Sequence, residues 1–184
     1  FDLYLEAFGT STISALSLND RLDTVFGEGN YAISSPPTLI VGPGTIALNP
    51  GFNGSSDDEI LAAGSTLAGG AVANIQFSVN VLNISDRGLG LGNYQNQAVA
   101  AGQTPIGGSI SDRSNNTVDP DPDGNGIPSE NNATSFSIPV GPTGLAKSAS
   151  VLGNQVTLDF YLRNYGSATS SNLSLTDNLD AVFG

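Results

Sequence analysis

Asp119, Asp121, Asp123, Gly124 and Glu130 fall on the spacing D-x-D-x-D-G-x5-E. This is the twelve-residue pattern of a calcium loop. Carboxylates at alternate positions turn inward when the chain curls around an ion, and Gly124 permits the sharp bend. The backbone carbonyl of Asn125 supplies a further ligand, and Glu130 closes the ring with both oxygens. Asp112 adds a carboxylate from the start of the loop. The chain has no His and no Cys, so the donors are hard oxygens, and they select Ca2+ over transition metals. Pro120, Pro122 and Pro128 exclude flanking helices, so the expected site is a helix-free loop. A solvated acidic turn is the alternative, and its close carboxylates repel one another when no cation is present.

Other chemistry is sparse. Without His or Cys, no Ser-His-Asp or Cys-His unit can be assembled from this chain. No carboxylate pair is singled out for glycoside hydrolysis, so no enzyme is expected. Asp57-Asp58-Glu59 is a second acidic cluster, either a cation site or loop acids. Lys147 is the one lysine. It is either a solvated residue that discourages stray strand pairing or a nucleophile that forms an amide with an Asn or Asp beside an acid. Sequons begin at Asn53, Asn83, Asn115, Asn132 and Asn172, a number close to chance for so Asn- and Ser-rich a chain.

Net charge is −12, from 17 acids against 5 bases. No basic cluster exists to neutralise a phosphate backbone, so nucleic acid is excluded as a partner. No apolar run is long enough for a membrane helix, so no membrane insertion is expected. Charged residues make up only 12% of the chain and hydrophobic ones 39%, which describes a folded protein with a polar, weakly charged surface.

Alternation of apolar and polar residues dominates. Ala73, Ile75, Phe77, Val79 and Val81 share one face of a long strand over 71–82, expected at a sheet centre. Phe1, Leu3 and Leu5 define an opening strand, and Ile13, Leu16 and Leu18 a second that ends at Asn19-Asp20-Arg21. Pro36-Pro37 is expected to break the chain before short strands at 38–41 and 45–48, with Gly42-Pro43-Gly44 between them. Residues 50–59 read as loop, 94–101 and 135–140 as strands, 109–134 as a long acidic loop and 140–144 as a linker. Two strands, 145–150 and 154–163, flank a Gly153-Asn154 turn. The sum is an all-β chain, an antiparallel β-sandwich of nine or ten strands.

Residues 158–184 copy residues 1–27 at 15 of 27 positions without a gap. Tyr4 matches Tyr161, Leu16-Ser17-Leu18 matches Leu173-Ser174-Leu175, and Val25-Phe26-Gly27 matches Val182-Phe183-Gly184. The chain therefore spans one period of a repeat and the opening of the next. Leu145-Ala146-Lys147, then Gln155-Val156-Thr157-Leu158-Asp159-Phe160, Arg163-Asn164-Tyr165-Gly166 and Leu173-Ser174-Leu175-Thr176-Asp177 follow in order. This series resembles the conserved-repeat, immunoglobulin-like β-sandwich domain found in tandem in large bacterial surface proteins. The loop over 111–128 is similar to an acidic loop late in those repeats.

The resemblance implies an extracellular stalk, filament or adhesin on a bacterial surface. It implies a sandwich over 1–139 that lacks its first strand, and over 140–184 the opening strands of the next sandwich. Val156, Leu158, Phe160, Leu162, Leu173 and Leu175 would then form the joint between units. Either these strands complete a neighbouring molecule by β-augmentation, or the chain is a window on a longer covalent array. The expected function is a head-to-tail structural repeat stiffened by calcium, with copies of itself as partners. The alternative is an adhesive module that recognises a glycan or a host protein.

Overall fold

The structure is a computed structural model describing residues 1–141, 143–166, 169–170 and 173–183. Pro142 of the expected linker, the Asn172 sequon and Gly184 of the repeat lie outside the described residues. The chain divides into two compact units, Phe1–Ile138 and Pro139–Gly184.

Unit 1 is built from antiparallel sheets. The first holds β1 (Asp2–Glu6), β4 (Val72–Val81) and β3 (Tyr31–Val41) in the order β1-β4-β3. The alternating strand of the sequence is indeed central, and its Ala73, Ile75 and Phe77 are buried. The second sheet has β2 (Ser14–Asn19), β6 (Val99–Gln103) and β7 (Ser109–Arg113) in the order β2-β6-β7. A two-stranded sheet pairs β5 (Asn93–Asn96) with β8 (Thr134–Ser137). Leu3, Ile75 and Phe77 from the first sheet share one core with Leu16 and Leu18 from the second and Tyr94 from the third. This arrangement is compatible with a β-sandwich.

Several expectations are corrected. Pro36-Pro37 does not break the chain: β3 runs through it, with register shifts between Ser35 and Thr38. The strand lies at a sheet edge, where a residue without an N–H costs no ladder bond. The run at 45–48 is not a strand and contributes only a bridge from Leu48 to Leu61. Residues 94–101 form two strands, because the chain leaves one sheet after Asn96 and joins another at Val99. The acidic loop begins later than expected, since its first residues form β7. A short helix, α1 (Leu22–Phe26), was not anticipated; it buries Leu22, Val25 and Phe26.

Between β3 and β4 the chain makes an irregular layer that still builds core, with Phe52, Ile60, Leu61 and Leu67 buried. This layer closes the outer edge of β2. Ile13 and Leu67 bond reciprocally at 2.8 and 3.0 Å, Ile60 N–H donates to Leu18 O at 2.7 Å, and Asp20 N–H donates to Asp58 O at 2.9 Å.

Unit 2 is smaller. β9 (Thr143–Leu152) and β10 (Gln155–Asn164) pair antiparallel across a two-residue turn. Gly153 has φ +60, which fits the first central position of a type II′ hairpin turn. Thr143 and Gly144 thus belong to β9 and not to a linker. α2 (Asp180–Phe183) falls where the repeat copies α1. Leu173 and Leu175 were expected on a strand, yet residues 173–178 form none. Their copies in β2 are held by β6 on one side and by residues 58–67 on the other. Neither partner has a counterpart within unit 2.

Phe77 is buried and stacks on Phe1 at 5.0 Å and against Phe52 at 5.1 Å. Replacing it should leave a cavity between the sheets. Phe77→Ala is expected to cost about 3–5 kcal/mol, read from denaturant unfolding followed by tyrosine fluorescence. A loss below about 1 kcal/mol would contradict this packing.

Candidate functional site

Two features of unit 1 carry chemistry, and they share a wall. The first is the acidic loop. Asp121, Asp123 and Glu130 bring carboxylate oxygens within 4.8 Å of one another. Asp121 is buried although it sits in a loop. Its Oδ2 accepts the Gly126 N–H at 2.7 Å and its Oδ1 the Asn125 N–H at 3.3 Å. Asp123 Oδ1 accepts the Asn125 N–H at 3.1 Å. Gly124, with φ +69, makes the bend that lets these groups converge.

The register differs from the one expected. Asp119 is not in the cluster. Its Oδ1 accepts the Asp121 N–H at 3.0 Å and so caps the entry to the loop. The fold curls the chain around Asp121, and Asp119 precedes the curl. The Asn125 side chain serves the loop itself, with Nδ2 donating to Asp123 Oδ2 at 2.8 Å.

Glu130 Oε2 and Asn115 Oδ1 are buried acceptors without a partner among the described residues. Such atoms are costly when unmade, and a cation would satisfy acceptors of this kind. Burial pushes the Asp112 carboxyl up, against the pull of the Arg113 backbone N–H, and the Glu130 charge pushes it further. Asp112 thus lies within the field of the cluster. The donor set fits a hard divalent cation and Ca2+ would suit it. Asp57, Asp58 and Glu59 instead point to neighbours: Asp57 accepts from Asn49 Nδ2 at 2.9 Å and Glu59 from the Leu18 N–H at 2.7 Å.

The second feature is an open sheet edge. Phe1 and Ala7, at the ends of β1, both bond the β4 side: Phe77 N–H to Phe1 O at 3.0 Å, Ala7 N–H to Ala71 O at 3.1 Å. Bonding alternates along an antiparallel strand, so Leu3 and Leu5 also serve β4. The N–H and C=O of Asp2, Tyr4 and Glu6 face the other edge. Among the described residues no strand pairs with that edge. Clefts of about 340 and 570 Å³ open along it, between β1 and β7. Leu16, Leu18 and Ala100 line them, and Pro120 of the acidic loop lines both.

Behind Asn96, a lining residue of the first of these clefts, lies a group the sequence did not advertise. Asp20 is fully buried. Its Oδ2 accepts from Asn96 Nδ2 at 2.8 Å, while its Oδ1 has no partner among the described residues. Asn96 is a lining residue of the cleft. Burial pushes the Asp20 carboxyl up to about 6, although the Asn96 hydrogen bond pulls it down. Sequence reasoning took Asp20 for the polar end of a strand. The available signal was the repeat, since Asp20 and Asp177 are copies. In unit 2 Asp177 accepts from Lys147 Nζ at 2.8 Å.

The expected joint residues occupy an exposed face. Val156, Leu162, Leu173 and Leu175 are exposed and Leu158 and Phe160 half-buried. Comparison with known protein families, curated proteins and solved structures returned no match.

Two outcomes follow from this geometry. Calcium at a hundred times its Kd should stabilise unit 1 by about 2.7 kcal/mol. Asp121→Ala should abolish the shift in Tm, and Asp119→Asn should keep most of it. Absence of binding heat, with a Tm indifferent to chelator, would exclude the ion. Asp20 supplies the second. A carboxyl whose folded pKa is raised costs nothing below its unfolded value of 3.8 and its full amount above about 6. Asp20→Asn should therefore gain on the wild type as pH rises from 4 to 8, by roughly 3 kcal/mol in all. A difference between the two proteins that is flat with pH would refute this.

Proposed function

We propose that this chain is a structural repeat unit of an extracellular bacterial filament or surface stalk. Units join head to tail, and calcium in the acidic loop stiffens each one. Unit 1 is read as an immunoglobulin-like sandwich, and unit 2 as the opening hairpin of the next. The reading assigns no catalytic turnover.

The observation that carries it is the repeat: residues 158–184 copy residues 1–27 at 15 of 27 positions, and β10 and α2 take up the local structure of β1 and α1. Along β1 the backbone groups of Asp2, Tyr4 and Glu6 meet no strand among the described residues, and an edge of this kind is a template for another strand. Unit 2 offers a hairpin with Val156 and Leu162 exposed and Leu158 and Phe160 half-buried. The acidic loop supports the calcium part, because the carboxylates of Asp121, Asp123 and Glu130 converge within 4.8 Å. The polar, cysteine-free composition accords with a place outside the cell. No helix among the described residues is long and apolar enough to cross a membrane.

Electron microscopy of the purified full chain, with calcium and after chelation, tests the reading. Filaments with a regular axial repeat are expected, shorter or fewer after chelation. Isolated particles at every concentration would refute it.

A further inference from the structure

The chain contains two Asn-Gly steps, Asn53-Gly54 and Asn125-Gly126. This dipeptide carries its own reagent. The amide nitrogen after an asparagine can attack the side-chain carboxamide and expel ammonia. Glycine, with no side chain, leaves that nitrogen open to approach. The fold treats the two steps differently.

Asn53-Gly54 is built into the irregular layer. Gly54 is buried against Leu22, and a Cβ there would fall 2.6 Å from the Leu22 side chain. The Gly54 N–H donates to Asp57 O at 3.0 Å. Asn53 Oδ1 accepts the Ser55 and Asp57 N–H groups at 2.9 and 3.1 Å, and its Nδ2 donates to Ser56 Oγ at 3.1 Å. The segment is tied in turn to α1 and β3. Ser55 Oγ donates to Asp23 Oδ2 at 2.6 Å, and Tyr31 Oη to Asn53 O at 3.2 Å. Freeing the Gly54 nitrogen would mean unpacking core.

Asn125-Gly126 lies in the open. Both residues are exposed, and a Cβ at Gly126 would meet nothing within 4 Å. The Gly126 N–H donates to Asp121 Oδ2 at 2.7 Å. Asn125 Nδ2 donates to Asp123 Oδ2 at 2.8 Å, and Asn125 Oδ1 accepts the Ile127 N–H at 2.7 Å. The attacking nitrogen and both ends of the carboxamide are thus held by residues of the loop itself. Two of the three holds are carboxylates that repel each other. A segment with so little buried contact opens locally at small cost.

We propose that Asn125 is a site of self-modification, converted through a cyclic imide with Gly126 to aspartate and isoaspartate, and that the closed acidic loop holds the reaction in check. The Gly126 nitrogen bonds to Cγ of Asn125. The Cγ–Nδ2 bond breaks, and Nδ2 takes up the Gly126 proton and departs as ammonia. Water then opens the imide at one of its two carbonyls. One product is aspartate. The other carries the main chain through Cβ and Cγ, so the loop gains a backbone carbon and the former peptide carbonyl becomes a free carboxylate. Either product adds a negative charge beside Asp121 and Asp123, so a modified loop repels itself more strongly. The part played by calcium rests on the reading above: a bound ion would hold Asp121 and Asp123 in place and keep the Gly126 N–H engaged.

The test incubates the freshly purified full chain with calcium and with chelator. Samples are digested at intervals and read by mass spectrometry, after chromatography that separates aspartyl from isoaspartyl peptides. Asn125 should convert while Asn53 keeps its amide, and chelator should speed Asn125 several-fold. Asp121→Ala removes the acceptor of the Gly126 N–H, so in calcium it should convert as fast as the wild type does in chelator. Asn125 intact under both conditions would overturn the site. Asn53 converting as fast as Asn125 would overturn the role given to packing. Conversion no faster in Asp121→Ala than in the wild type with calcium would overturn the restraint by the loop. A wild-type rate indifferent to calcium would overturn the ion's part in the restraint. Calorimetry then separates the two readings: binding heat leaves the calcium loop standing, and its absence removes both.

Discussion

A carboxylate buried in the interior constrains everything packed around it. Asp20 follows β2 directly, and its backbone N–H bonds Asp58 O in the irregular layer. Its side chain reaches across to Asn96 at the end of β5. Three elements of unit 1 therefore meet at a group that is costly to bury charged. The apolar core of the unit, which includes Leu18, Phe26 and Tyr94, has to offset that cost. A leucine would pack more cheaply at such a position.

The two copies of the repeat show how far local sequence decides structure. β1 and β10 are both strands, and α1 and α2 are both helical turns. Leu16 and Leu18 lie on β2 while Leu173 and Leu175 lie on no strand. The sequences there are nearly the same, and the difference is the partner. β2 has neighbours on both edges, and, among the described residues, 173–178 have no strand on either. Strand formation is a property of the ladder, because each backbone group must find its complement elsewhere. A hairpin satisfies this on its own account, which is why β9 and β10 form in unit 2.

The same logic separates what the residues announced from what they concealed. Strict alternation named β4 and its buried face, and Gly153-Asn154 named the hairpin turn, because these are local signals. Pro36-Pro37 misled, since a diproline is tolerated where one strand edge has no partner, and edge position is a tertiary fact. The strand expected over 94–101 concealed a change of sheet at Gln97-Ala98. Spacing alone identified the acids that converge, Asp121, Asp123 and Glu130. It also swept in Asp119, because it counts positions and does not see where the curl begins. Asp20 was invisible as a single acid after a strand; its burial comes from elements far along the chain.

The diproline of β3 has one more consequence. The first sheet has two outer strands, β1 and β3, and in principle each could recruit a neighbour. β3 carries two consecutive residues that lack an N–H, and its register slips beside them. A ladder cannot propagate past such a place. Of the two outer strands, β3 is thus closed to lateral growth of the sheet, and whatever the chain meets along that side meets it through side chains and not through a ladder.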